Sequence, residues 1–441
     1  TVLPEPVQLK FGAPYEPTMS RVDRDRLVAL RREFHRHPEP AWREFFTTAR
    51  IVEELEALGV DELYVGEDAL DGDARMAVPD DDELEDWQRK ARDAGAREDV
   101  LEAVDGGFTG ALAVLEQGEG PTVALRVDID ALPITESDSA AHAPASEGFR
   151  SANAGYMHAC GHDAHATIGL GVLEAVKESD FRGTFKLVIQ PAEEVIGGGK
   201  AVAESGHLDD VDHLLAIHIG LDHPTGEIVA GVGGFLAVRQ FKATFTGETA
   251  HAGGHPAQGR DAVQALATAV QNLHAIRRHG DGATRVNAGV VAGGTATNIV
   301  PEEATLEGEV RGETTHLKEY MSDRADTVMS SAAEMHDCEV AIETTAEAPS
   351  AVSDDALASV VYDAAASVPG VTSRLRTDDL GGSEDATYLM DRVQDHGGTA
   401  TFVGIGTDHP GGHHTPTFDV DEDSLAIGID VVSETVRQLS E

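Results

Sequence analysis

Cysteine is nearly absent from this chain: Cys160 and Cys338 are the only two among 441 residues. Two thiols cannot build a disulfide framework, and they suit a reducing compartment. Lysine is scarce as well, seven against twenty-six arginines, and all 33 basic residues are outnumbered by 79 acidic ones, for a formal net charge of -46. A surface of that sign repels DNA, RNA and anionic lipid, so neither a nucleic-acid nor a membrane partner is expected. Abundant carboxylate with little lysine fits a protein kept soluble in concentrated salt, where screening removes the self-repulsion. An unusually acidic protein of an ordinary cytoplasm is the alternative. No apolar run approaches membrane-spanning length. The opening stretch "TVLPEPVQLKFGAPYEP" lacks the basic and apolar regions of a signal peptide, so a cytoplasmic location is expected. Aromatic residues make up only 5%, yet hydrophobic residues reach 41%, enough for a sizeable core.

The length favours more than one domain. Helical spacing is present over 23–37 and 43–58, followed by a very acidic stretch, 61–105, that reads as an insertion or flap with one helix over 82–103. From Phe108 onward short apolar strands alternate with helices ("TGALAVLE", "TVALRV", "ATIGLGVLEAVKES", "TFKLVIQ", "HLLAIHI"). That alternation predicts an α/β domain with a mostly parallel sheet. Residues 237–346 instead read strand, helix, strand, strand, helix, strand, the βαββαβ order of a ferredoxin-like unit. The expected plan is therefore a catalytic domain over 1–236 and 347–441, interrupted by an inserted domain over 237–346.

The densest chemistry lies in "MHACGHDAH", starting at Met157. Cys160 and His162, two apart, share a face of an extended segment, and thiolate plus imidazole make good ligands for zinc-like divalent metals. "QPAEE" ends a strand with Glu193 and Glu194, whose side chains point opposite ways if the backbone stays extended. "AIHIG" puts His218 at the carboxyl end of a strand, where open sheets hold their ligands. "GGHHTPTFD" adds His413 and His414, and "DIDALP" adds Asp128 and Asp130. Each fragment has a plainer reading alone: a structural Cys-His pair, a solvated acidic pair, a core histidine, an exposed loop.

Taken in order, "FHRHPEP", "DIDALP", "MHACGHDAH", "QPAEE", "AIHIG", "GETAHAGGHP" and "HHTPTFDVDE" resemble the motifs of the dinuclear-metal amidohydrolases, from about residue 30 to the end. That family includes aminoacylases, hippurate and auxin-conjugate hydrolases and glutamate carboxypeptidases. The carboxypeptidase branch carries a histidine where Asp128 stands and a carboxylate as bridging ligand, so Cys160 and His162 match only the Cys-x-His branch. Within it, "WREFFTTA", an acidic insertion closing with "GGFTG", and "GSEDATYLMDRVQDHGG" are most similar to the p-aminobenzoyl-glutamate hydrolases.

The resemblance implies two divalent metal ions, zinc or manganese with cobalt as a further candidate. Cys160 would bridge them, and His162, Glu194, His218 and His414 would complete the sites. It implies Glu193 as general base, Asp130 as the acid that orients a ligand, and His251 as an oxyanion-stabilising group reaching the partner's site. Asn298 and Arg311 would grip the substrate carboxylate, although Arg311 among Glu307, Glu309 and Glu313 also reads as a strand-edge counter-charge. The implied reaction is hydrolysis of an N-acyl or N-aroyl amino acid, of p-aminobenzoyl-glutamate type. The implied assembly is a homodimer paired through the inserted domain, or a heteromer with a paralogous chain. A general aminoacylase or hippurate-type hydrolase would share every ligand. A metal-dependent binding protein without turnover would have no need of Glu193.

Overall fold

The structure, a computed structural model, describes residues 23–409 and 411–440. The expectation about a signal peptide concerns residues outside that range. The chain opens with α1 (Arg24–Arg36) and α2 (Phe45–Leu58), then strand β1 (Glu62–Val65). The acidic stretch holds two helices, α3 (Asp81–Asp93) and α4 (Glu98–Ala103), rather than the expected single one. Gly95, at φ 102°, adopts backbone that other residues rarely tolerate and ends the first helix. The stretch is packed into the body: Leu84, Trp87, Ala91, Val100 and Leu101 are all buried in a core shared with Trp42 and Phe45.

Next come β2 (Ala111–Glu116), β3 (Thr122–Asp128), α5 (His162–Glu178), β4 (Thr184–Gln190), β5 (His213–Ile219) and β6 (Glu227–Val229). The inserted unit follows as β7 (Ala237–Thr246), α6 (Ala262–His274), β8 (Thr284–Gly293), β9 (Glu303–Gly312), α7 (Thr315–Met335) and β10 (Glu339–Ala348). The chain then returns through α8 (Asp355–Ala364), β11 (Ser373–Leu375), α9 (Ala386–Asp395), β12 (Thr399–Ile405) and α10 (Asp423–Leu439).

The large sheet runs β1-β2-β4-β3-β5-β12-β6-β11. Its centre, β4-β3-β5-β12, is parallel throughout, while β1 and β2 on one side and the β12–β6 pair on the other are antiparallel. Both faces are covered, which is why the central strands read as mostly apolar runs, interrupted by buried Arg126 in β3 and Lys186 in β4. In β4, Phe185, Leu187 and Ile189 enter one core, with Leu27 and Phe34 of α1 and much of α5. Val188 enters the other, with the acidic stretch and α9.

The inserted unit forms its own antiparallel sheet in the order β8-β9-β7-β10, with a separate core between that sheet and α6 and α7. This is the strand order of a ferredoxin-like fold. The protein is thus an α/β fold with an inserted βαββαβ unit. Among the described residues no helix is long and apolar enough to cross a membrane.

Candidate metal centre

The four parallel strands all end on one side of the sheet, and the loops beyond those ends carry the candidate ligands, the usual ligand position in an open α/β sheet. Asp128 ends β3, with Asp130 just beyond it. Glu193 and Glu194 follow β4, His218 is the penultimate residue of β5, and His414 lies in the loop after β12. Cys160 precedes α5, and His162 is its first residue. The expected extended Cys-x-His segment is therefore a helix entry instead. Gly161 makes the bend at φ 85°, and a Cβ there would stand 2.5 Å from Ile219 Cγ2, so only glycine fits.

The ligand atoms of Cys160, His162 and His218 lie within 4.8 Å of one another, and so do those of Cys160, Glu194 and His414. Cys160 is common to both groups, the position a bridging ligand would need. Its Sγ is 3.4 Å from His218 Nε2. His218 Nδ1 lies 2.8 Å from the Ile219 carbonyl oxygen, which can only accept, so the proton sits on Nδ1 and Nε2 is left bare toward the cluster. His162 Nδ1 lies 3.2 Å from Asp130 Oδ1, which leaves its Nε2 bare in the same way. His162 Nε2 and Glu194 Oε1 are buried without any hydrogen-bond partner. Unpaired buried polar atoms are costly, and two of them facing one another call for a shared partner.

The electrostatics make the same demand. Burial and the neighbouring Glu384 and Glu194 push Glu193 well above the usual carboxylate range. Burial, against the opposing pull of His162 and helped by Asp130 and Asp128, pushes Glu194 up to about 8. Burial and the two glutamates also push the Cys160 thiol up. Against burial, Asp128 and Asp130 hold His162 up to about 10. Glu193, Glu194 and Cys160 thus all resist negative charge, which a nearby cation would relieve. The donor set of one thiolate, three imidazoles and a carboxylate fits a zinc-like divalent ion.

Glu193 and Glu194 lie in a turn, with Ala192 at φ 58° and Ile196 at φ 54°, and not in extended backbone. Both carboxylates consequently reach His162. They part beyond it: Glu194 reaches toward Cys160 and His414, Glu193 toward Asp128 and Glu384. Asp130 accepts from the amides of Glu193 (3.1 Å) and Glu194 (3.0 Å) as well as from His162, so one carboxylate orients ligand and turn together.

Sequence reasoning passed over several buried supports. Arg126 donates to Asp128 (2.7 Å), Gln190 (2.8 Å) and Asp385 (3.3 Å), and Asp385 in turn accepts from the amides of Gly198 and Gly199. The spacing Arg126-x-Asp128 in a strand was a usable signal, since alternate residues share a face. His165 accepts from the Ile219 amide and donates to Asp128. Arg31, fully buried, pairs with Asp163 (2.8 Å) and Asp419 (2.6 Å), tying the helix that begins at His162 to the loop of His414.

A cavity of about 450 Å³ opens beside the cluster, lined in part by Cys160, His218, Leu221, Leu380, Glu384 and His414. His413 faces it too, but its Nε2 is 3.2 Å from the Ile219 carbonyl oxygen. Arg311 approaches the cavity wall through Ser383 (3.4 Å) while Glu309 holds its guanidinium at 2.8 and 3.0 Å. His251 and Asn298 lie elsewhere, joined in a short ladder of the inserted unit in which Ile299 pairs with His251 and the Ala252 amide donates to Asn298 O. Both are exposed, and among the described residues neither hydrogen-bonds to the cluster. His251 Nδ1 accepts from the amides of Gly253 (3.1 Å) and Gly254 (2.9 Å), so its proton sits on the outward Nε2.

The chain is 44% identical to the indole-3-acetyl-aspartic acid hydrolase of Enterobacter agglomerans, covering 93% of this chain and 94% of that one. It is 42% identical to one of the subunits of the p-aminobenzoyl-glutamate hydrolase of Escherichia coli K12, covering 93% and 95%. Among solved structures it matches an aminobenzoyl-glutamate utilization protein from Klebsiella pneumoniae with a TM-score of 0.80 at 35% identity, covering 94% and 95%. A dinuclear metal-binding peptidase of the M20 family from Bacillus subtilis matches with a TM-score of 0.67 at 25% identity, covering 95% and 98%. Residues 124–438 match the profile of Peptidase family M20/M25/M40, and the chain belongs to that family.

Proposed function

We propose that this protein hydrolyses the amide bond of N-acyl or N-aroyl amino acids, and that the acyl group is aromatic and the amino acid acidic. The observation that carries the reading is the pair of ligand groups sharing Cys160, with Glu193 buried beside them. The names of two relatives support the finer part: each specifies an aromatic acyl group on aspartate or glutamate.

Cys160, His162, Glu194, His218 and His414 would hold two divalent ions, zinc or manganese. When bound, such ions supply Lewis-acid chemistry, acidifying water and polarising a carbonyl. Glu193 takes a proton from the attacking water and passes it to the departing nitrogen. Asp130 keeps His162 in the tautomer that leaves Nε2 free. His251 supplies a neutral Nε2–H donor to the oxyanion in the site of a second copy, paired through the inserted unit. A paralogous partner chain could offer the same histidine. Arg311, at the cavity wall, exchanges Glu309 for the substrate carboxylate, and Asn298, beside His251, reaches that carboxylate from the second copy.

The test is hydrolysis of a panel of N-acyl amino acids in high salt, before and after chelation. Turnover of aroyl-glutamate or aroyl-aspartate, lost on chelation and restored by Zn, Mn or Co, is expected. Full activity in chelated, metal-free protein would refute the assignment. Equal rates on acetylated neutral amino acids would favour a general aminoacylase.

A further inference from the structure

Three consecutive amides open the turn after β4, and each donates to a buried carboxylate. Those of Glu193 and Glu194 go to Asp130. That of Ala192 goes to Glu44 Oε1, at 2.8 Å. Glu44 is fully buried, and its other oxygen accepts from the Thr109 hydroxyl at 2.6 Å. It stands directly before α2, where a side chain ordinarily accepts from the first-turn amides, yet it makes no such cap. Its carboxylate reaches across 148 positions to a residue at φ 58°, backbone that alanine keeps only when its surroundings impose it.

The same acidic stretch that ends near Thr109 also holds the far side of the turn. The Met76 amide donates to Gly197 O at 3.2 Å, Trp42 Nε1 donates to Met76 O at 2.7 Å, and the Gly197 amide closes the turn onto Ala192 O at 2.9 Å.

We propose that Glu44 is a positioning residue for Glu193: by holding the Ala192 amide it fixes the left-handed entry to the turn, and with it the direction of the Glu193 carboxylate. The acidic stretch acts as its support through Thr109. The proposal rests on the reading of Glu193 as the general base. Asp130 serves the ligands as well as the turn, whereas the hydrogen bonds of Glu44 go to Ala192 and Thr109 and to no residue of the ligand set. Loss of Glu44 is therefore felt first at Glu193 and only weakly at Glu194.

The experiment uses the full-length, metal-loaded protein in high salt with a substrate that the wild type hydrolyses, and Glu193→Gln as reference. Glu44→Ala is expected to lower kcat by about 10- to 100-fold, the scale of a misplacement near 1 Å. KM should stay within about threefold and metal content per folded protein should hold, because binding and ligation are left in place. Glu44→Gln should recover most of that loss, since its amide oxygen can accept from Ala192 and its NH2 can donate to Thr109. Burial and nearby Asp130 push Glu44 up to about 8, which makes a neutral replacement a close mimic. A crystal structure of Glu44→Ala should show the Ala192–Glu194 turn displaced.

An unmoved turn, or kcat within twofold of wild type, would overturn the proposal. So would a loss of activity that merely tracks lost metal or lost folded protein, the behaviour of an ordinary core acid. If Glu44→Ala does not fold, Thr109→Val decides: a several-fold drop in kcat at constant KM is expected, and none would overturn it. Undiminished kcat in Glu193→Gln would instead remove the general-base assignment, an outcome distinct from a normal Glu44→Ala beside an inactive Glu193→Gln.

Discussion

Glu193 and Glu194 share one turn and one histidine, and differ in what lies on their far sides. Glu193→Gln should keep its metal and lose turnover by about 10²–10⁴, the usual worth of a proton-transfer group. Glu194→Gln should lose metal, seen by elemental analysis and by competition with a chelator. Identical metal content and identical activity in the two variants would remove the distinction. The candidate residues Cys160, His162, Glu194, His218 and His414, which the structure gathers at the strand ends, were legible in the sequence through the resemblance of their motifs. Glu44 and Asp385 were not, because what each does depends on a partner brought close only by the fold, and of Arg126 only the pairing with Asp128 could be read. Glu44 meets Ala192, and Arg126 meets Asp385 across 259 positions. Adjacent acids were expected to diverge on extended backbone, whereas the left-handed Ala192 turns them into one cluster.

At the scale of elements, the constraint that bears on the cluster is the entry to α5. Gly161→Ala would force a side chain into left-handed backbone and against Ile219, at a cost of about 1–3 kcal/mol. Because Cys160 and His162 flank that bend, chelator competition should show weaker metal binding along with a lowered urea midpoint. A normal midpoint with normal metal affinity would mean that the bend tolerates a Cβ.

The inserted unit was readable from alternation alone, and its strand order followed from its connectivity. Its relation to the site came from the resemblance alone, and within one protomer His251 and Asn298 form a local ladder away from the cluster. If a second copy supplies His251, mixed dimers of His251→Ala and Glu193→Gln protomers should regain activity that neither parent has. Verified mixed dimers without activity would place His251 in its own protomer's chemistry or outside it.

For the whole molecule, a formal charge of -46 sets the response to salt. The Debye length falls from about 10 Å at 0.1 M to about 3 Å at 1 M, so carboxylate repulsion across the fold fades over that range. The melting temperature should rise steadily from dilute buffer to molar salt, as scanning calorimetry would show. A flat or falling curve would argue against adaptation to concentrated salt.

The place of β12 in the large sheet governs how the protein can be assembled. That strand, Thr399–Ile405, lies between β5 and β6, which precede it by about 170 residues and the whole inserted unit. During synthesis the sheet must wait with an open slot and two unpaired edges, exposed to mispairing, until Thr399–Ile405 has left the ribosome. His414 lies in the loop after that strand, so the last candidate ligand arrives only after the piece that closes the sheet. A metal held by all five candidate ligands would therefore be complete only once that strand is in place. Fragments ending before Thr399 should hold zinc weakly and aggregate, even though they carry four of the five candidate ligands.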